Sequence, residues 1–185
     1  MRRYCAVAVF IVASHVVAFQ VAGGPGPALG QSSSAMSAPV FIPVAYDRLV
    51  NADREPGNWL MYSGQYNGQR YSRLDQIDRQ NTTRLRLKWV HQFRTLDRAE
   101  TTPLVVDGVM YVTESPSTVI ALDAKTGRQF WRYEHRVPDD VPYCCGRNNR
   151  GVAILGDRLF LSTLDAHLVA LDAKTGNVIW NIEVI

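Results

Sequence analysis

The chain has 185 residues, of which 46% are hydrophobic and 20% charged, with 13 glycines and 9 prolines. This composition suits one globular domain of about 100–200 residues and excludes a disordered, collagenous or nucleic-acid-coating chain. The formal charge of +3 owes two units to Arg2 and Arg3. Without residues 1–30 it is 18 basic against 17 acidic side chains, or +1, which leaves no basic patch for nucleic acid or a membrane surface.

In chain order, residues 1–30 read as a signal peptide. Arg2 and Arg3 form a basic start, Ala6 to Ala22 is an uncharged and mostly apolar run, and Gly23-Gly24-Pro25-Gly26-Pro27 stops any helix. Ala28-Leu29-Gly30 supplies the small-x-small pattern a signal peptidase accepts, so the mature chain is expected to start near Gln31 in the periplasm. The competing reading is an uncleaved anchor, because the apolar run approaches spanning length. Helix breakers and small residues directly after the run favour cleavage. Residues 31–57 read as an N-terminal extension, and the folded part is expected over 58–185.

A first, worn segment runs from Leu74-Asp75-Gln76-Ile77 through Leu85-Arg86-Leu87-Lys88-Trp89. Next, Val105-Val106, Val109–Thr113, Val119–Leu122 and Gln129–Tyr133 are apolar runs of strand length, rich in β-branched and aromatic residues and separated by turns. Between the last two, Asp123-Ala124-Lys125-Thr126-Gly127 predicts a hairpin connection. Its Asp accepts backbone hydrogen bonds and its Gly takes the left-handed conformation.

Once Cys5 leaves with the signal, the mature chain holds Cys144 and Cys145 alone, adjacent and facing an oxidising compartment. No CxxC or HxxxH spacing accompanies them, which argues against a metal site. His91, His135 and His167 are isolated in sequence and read as surface or packing residues, and Asp139-Asp140 as a solvated loop. Two neighbouring thiols either close a tight ring through their own peptide bond or stay free. Both alternatives remain open on the residues alone.

The remainder repeats what precedes it. Val119-Ile120-Ala121-Leu122-Asp123-Ala124-Lys125-Thr126-Gly127 returns as Leu168-Val169-Ala170-Leu171-Asp172-Ala173-Lys174-Thr175-Gly176, and Trp131 as Trp180, at a constant offset of 49 residues. Met110–Thr113 returns in the same way as Leu159–Ser162. The worn segment fits less well, since Trp89 precedes Trp131 by 42 residues. A period of 40–50 residues with about four strands per unit predicts an all-β β-propeller. An ordinary β-sandwich leaves the repetition unexplained.

Ala-x-Asp-x-x-Thr-Gly-x-x-x-Trp, at Ala121 to Trp131 and again at Ala170 to Trp180, resembles the tryptophan-docking motif of the quinoprotein (PQQ-dependent) alcohol dehydrogenases. The motif is shared with non-enzymatic envelope propellers, such as the lipoprotein of the outer-membrane β-barrel assembly machinery. Three further stretches are specific. Tyr143-Cys144-Cys145-Gly146 through Arg150 resembles the family's vicinal disulfide loop. Ala99-Glu100-Thr101-Thr102-Pro103 resembles the segment whose Glu helps hold the cofactor. Asn58–Gly64 with Tyr71–Leu74 resembles the family's opening stretch.

The resemblance implies a partial propeller, the first two to three blades of eight, with Glu100, Cys144, Cys145 and Arg150 as residues binding pyrroloquinoline quinone (PQQ). The adjacent cysteines would form a lid over the quinone plane, and a guanidinium such as Arg150 can engage its carboxylates. It further implies hydride transfer from an alcohol to PQQ beside calcium or a lanthanide, giving an aldehyde or ketone, with electrons passed to a cytochrome c or similar acceptor. The catalytic Asp and the metal ligands are expected beyond residue 185, so no catalytic residue and no metal ligand is assigned within this chain. The chain is therefore expected to be inactive alone. A homo-oligomer is compatible with the sequence. The adjacent cysteines argue against the glucose-dehydrogenase branch. The alternative is a propeller that serves as a binding or scaffold module of the envelope without turnover.

Overall fold

A computed structural model describes residues 41–184. The expected signal peptide and the start of the extension lie outside the described residues. The described chain builds two four-stranded antiparallel sheets, each in simple up-and-down order. The first contains β1 (Leu104–Val106), β2 (Val109–Glu114), β3 (Thr118–Asp123) and β4 (Gln129–Glu134). The second contains β5 (Ala153–Leu155), β6 (Arg158–Ser162), β7 (His167–Asp172) and β8 (Val178–Glu183). These are the two repeats, strand for strand, and they share the all-β blade topology expected of a partial propeller.

The hairpins explain why the repeated motif folds alike twice. Asp123 Oδ1 accepts from the backbone N–H of Lys125 at 2.8 Å and Thr126 at 3.0 Å, and Asp172 Oδ1 accepts from Lys174 at 3.0 Å and Thr175 at 2.8 Å. The chain then closes through Gly127 and Gly176, with φ of +72° and +74°, and each hairpin carries the same register shift, at Ala121/Leu122 and Ala170/Leu171. The short polar side chain satisfies the turn and glycine takes the left-handed step, which is the division of labour read from the sequence.

Because side chains alternate across a strand, the first sheet buries two different sets. Val109, Tyr111, Val119 and Ala121 join a core with Leu159, Leu161, Val169 and Leu171 of the second sheet. Val112, Ile120 and Leu122 face the other way and pack with Trp89, Phe93 and Met110. A strand such as β3, covered on both faces, has no place for a polar residue between Val119 and Leu122.

The tryptophans fasten one repeat to the next. Trp131 of β4 lays its ring on Gly176, where an added Cβ would stand 2.5 Å from the ring, and donates its indole N–H to the Ala173 carbonyl at 3.2 Å. The Tyr111 hydroxyl donates to the same carbonyl at 3.0 Å. Trp89 repeats the arrangement one unit earlier, with Gly127 beneath its ring and the Ala124 carbonyl accepting at 3.2 Å. The worn segment thus keeps the docking residue although no strand is present from residue 60 to residue 103. Leu85 and Leu87 there are 57% and 82% exposed.

Residues before Asn58 are tied into the sheets. Val44 exchanges backbone hydrogen bonds with Gly156 at 2.7 and 2.8 Å, and a short helix, α1 (Tyr46–Val50), buries Leu49. Arg48 bridges Glu55 at 2.7 Å and Asp107 at 2.8 Å, and its hydrogen bond holds the Glu55 carboxyl below the ordinary glutamate value, against the opposing effect of burial. Trp59 pairs with Val105 of β1 through N–H···O bonds of 2.8 and 3.0 Å.

Candidate cofactor site

The Glu100 segment runs into β1 and the cysteine loop runs into β5, the corresponding first strands of the two repeats. Two loops that enter matching strands of neighbouring antiparallel sheets meet at the same sheet end. Their backbones touch: the Thr102 N–H donates to the Arg150 carbonyl at 3.1 Å. This approach needs glycine at position 151, whose φ is +128° and where a Cβ would stand 3.0 Å from the Thr102 carbonyl oxygen.

Arg150 meets Glu100 here, and Cys144 and Cys145 stand earlier on the loop that ends at Arg150. Cys144 and Cys145 are joined by a disulfide, their Cα atoms 3.8 Å apart, and both side chains are exposed. The pair of free thiols is thereby replaced by the ring. Arg150 Nε lies 3.3 Å from Glu100 Oε2, with the Arg150 side chain 70% exposed. Among the described residues Glu100 is the one ion-pair partner of Arg150. The Nε side of the guanidinium faces Glu100. Asp139 is fully exposed, with Arg147 at 3.5 Å.

Two hollows flank the loop. One, of about 380 Å³, is lined by Leu60, Met61, Tyr62, Thr102 and Arg150. The other, of about 420 Å³, is lined by Leu96, Arg98, Cys145, Gly146 and Arg147. Tyr62 carries the Arg70 guanidinium over its ring at 4.7 Å. Hydrogen bonding from Arg70, then Thr102, pulls the phenol pKa below its ordinary value.

Behind the exposed residues lies a buried polar layer that sequence reasoning did not single out. Thr113 of β2 is 1% exposed and Asn149 8%. The Thr113 hydroxyl lies 3.0 Å from the Thr101 hydroxyl and donates to the Asn149 carbonyl at 3.2 Å. Asn149 donates through Nδ2 to the Ser162 carbonyl at 2.9 Å and accepts from the Gly151 N–H at 3.1 Å. The available signal was Thr113 directly after the run Val109–Val112 of β2, where a buried hydroxyl requires a partner. His135 and His167, isolated in sequence, stand together with ring centres 5.2 Å apart. His135 Nε2 contacts Asp165 at 2.9 Å.

The sequence from 59 to 181 matches the family described as the PQQ β-propeller domain of glucose, ethanol and alcohol dehydrogenases. The chain belongs to this family. It is 40% identical over 155 residues to the quinoprotein ethanol dehydrogenase of Pseudomonas aeruginosa, covering 82% of this chain and 23% of that protein. That coverage exceeds what the stretch from Asn58 onward supplies, so the similarity reaches into the residues that carry Val44 and Arg48. A solved quinohemoprotein alcohol dehydrogenase from Pseudomonas putida superposes with a TM-score of 0.74 at 41% identity, over 79% of this chain and 22% of that one. A europium-containing methanol dehydrogenase gives 0.70 at 38% identity, over 75% and 25%. The chain spans about a fifth of the length of the curated relatives it matches, from 17% to 23%. Among the described residues of this quinoprotein propeller, no three His, Cys, Asp or Glu side chains gather as a metal site.

Proposed function

We propose that this chain is part of a periplasmic PQQ-dependent alcohol dehydrogenase, which oxidises alcohols to aldehydes or ketones and passes the electrons to a cytochrome c or similar acceptor. The observation that carries the reading is the exposed Cys144–Cys145 disulfide in a loop whose Arg150 pairs with Glu100. A planar tricarboxylate fits this set: the disulfide offers a polarizable surface for its ring, and Arg150 a planar cation for a carboxylate. When bound, PQQ supplies a quinone able to take hydride from an alcohol carbon beside a calcium or lanthanide ion acting as Lewis acid.

The work of the chain's own residues is binding and orientation. The cysteine ring keeps water from one face of the ligand. Glu100 pairs with the Arg150 guanidinium through Nε, and Arg150 in turn offsets the repulsion between Glu100 and an anionic ligand. Export is supported by the Arg2-Arg3 start and the apolar run behind it, and a bonded cysteine pair suits an oxidising compartment. An alcohol substrate is supported by the quinoprotein ethanol dehydrogenase at 40% identity. The europium-containing relative supports a lanthanide alongside calcium.

The test is reconstitution. Expressed from its complete gene and loaded with PQQ and either calcium or a lanthanide, the protein reduces an artificial electron acceptor when a primary alcohol is added. Silence over a broad alcohol panel with both ions overturns the reading and leaves a non-enzymatic envelope propeller.

A further inference from the structure

The exposed Glu100–Arg150 pair cannot hold its own geometry. Ion pairs in contact with water contribute about 0–1 kcal/mol, and two long side chains lose rotamer freedom in making one. The backbone bond from Thr102 to Arg150 joins the two loops at one point, and the buried hydroxyl of Thr113 is placed to hold them at a second. Asn149 O is a carbonyl and accepts only, so the single Thr113 proton is committed to it. The Thr113 oxygen is then left as acceptor, and the Thr101 hydroxyl 3.0 Å away has to donate to it. Thr101 in turn accepts from the Thr113 backbone N–H at 2.9 Å.

Every proton in this relay has one destination, and its two ends are the neighbours of the site residues: Thr101 follows Glu100, and Asn149 precedes Arg150. Ser115 makes a similar reach from the strand end to the Arg147 carbonyl, but its single proton is contested by Asp97 at 2.7 Å. Thr113 thus adds a buried side-chain link beside the backbone bond from Thr102 to Arg150.

We propose that Thr113 is a positioning residue, a buried clasp that sets the spacing of the Glu100 and cysteine loops and so pre-organises Arg150 and the disulfide for an anionic planar ligand. The clasp rests on the PQQ reading for the identity of the ligand, and on geometry alone for the coupling of the loops. Val matches Thr in shape but deletes the hydroxyl, leaving the Asn149 carbonyl without its donor and Thr101 with only the backbone N–H of residue 113; Ser keeps the hydroxyl.

The experiment uses the protein from its complete gene, as Thr113→Val and Thr113→Ser. PQQ is titrated into metal-loaded apo-protein and followed by tryptophan fluorescence. Amide hydrogen exchange of segments 99–103 and 143–151 is read without cofactor. Thr113→Val is expected to bind PQQ about tenfold more weakly, the size of one lost buried hydrogen bond. Both segments should exchange severalfold faster, and Thr113→Ser should stay within about twofold of the unaltered protein on both counts. An unchanged dissociation constant and unchanged exchange in Thr113→Val overturn the clasp. So does a lowered melting temperature with PQQ affinity intact, which marks a merely structural residue. Should Thr113→Val not fold, Thr101→Val removes one link only, and the same two readouts decide. If the unaltered protein binds no PQQ, the functional reading falls, and the exchange rates alone judge the clasp.

Discussion

At the scale of single residues, close contacts and charges decide which positions tolerate change. Gly176 has φ of +74° and lies under the Trp131 ring, with 2.5 Å to an added Cβ. Gly108 has φ of +86° but open space around it. Gly108→Ala is expected to cost about 1 kcal/mol from backbone strain alone, and Gly176→Ala about 2–3 kcal/mol, because the indole has to move as well. Equal losses in urea denaturation contradict the docking geometry. A second residue-scale prediction concerns acid. The Glu55 carboxyl is held low by its hydrogen bond from Arg48. A depressed folded value contributes stability above the unfolded value of about 4.3, lost as pH falls through the folded one. The melting temperature of Glu55→Gln should therefore lie below that of the unaltered protein at pH 6, with the gap closing toward pH 3. A gap independent of pH removes the pairing argument.

At the scale of elements, legibility followed repetition. The β3 and β7 hairpins were readable because Asp, Thr and Gly recur at fixed positions with a chemical reason for each, and the strands because β-branched runs alternate with turns. The earlier Trp89 segment was harder to read: its docking indole persists, yet the described residues provide no strand beside Leu85 and Leu87. At the proposed site, short motifs in the sequence pointed to the adjacent cysteines, Arg150 and Glu100, and the structure joins the cysteines and pairs Arg150 with Glu100. Thr113, Asn149 and the His135–His167 contact were not legible, because their partners are 12 to 36 residues away and only the meeting of two loops brings them together. The docking tryptophans give the element-scale prediction. Trp131→Ala removes an indole and its hydrogen bond to Ala173, and is expected to destabilise by about 3–5 kcal/mol. A retained melting temperature contradicts the fastening role.

At the scale of the molecule, two blades bring one loop each to a shared sheet end, and each supplies part of the proposed site: Glu100 from the first, the cysteine ring and Arg150 from the second. Neither blade alone presents both the flat surface and the oriented cation. The most direct test of this shared site is a PQQ titration of metal-loaded protein, made from its complete gene, comparing the unaltered form with Arg150→Ala and with Cys144→Ala/Cys145→Ala. One site per chain is expected, weakened by about tenfold or more in each variant. PQQ affinity unchanged by both substitutions would place the quinone elsewhere and contradict the assignment.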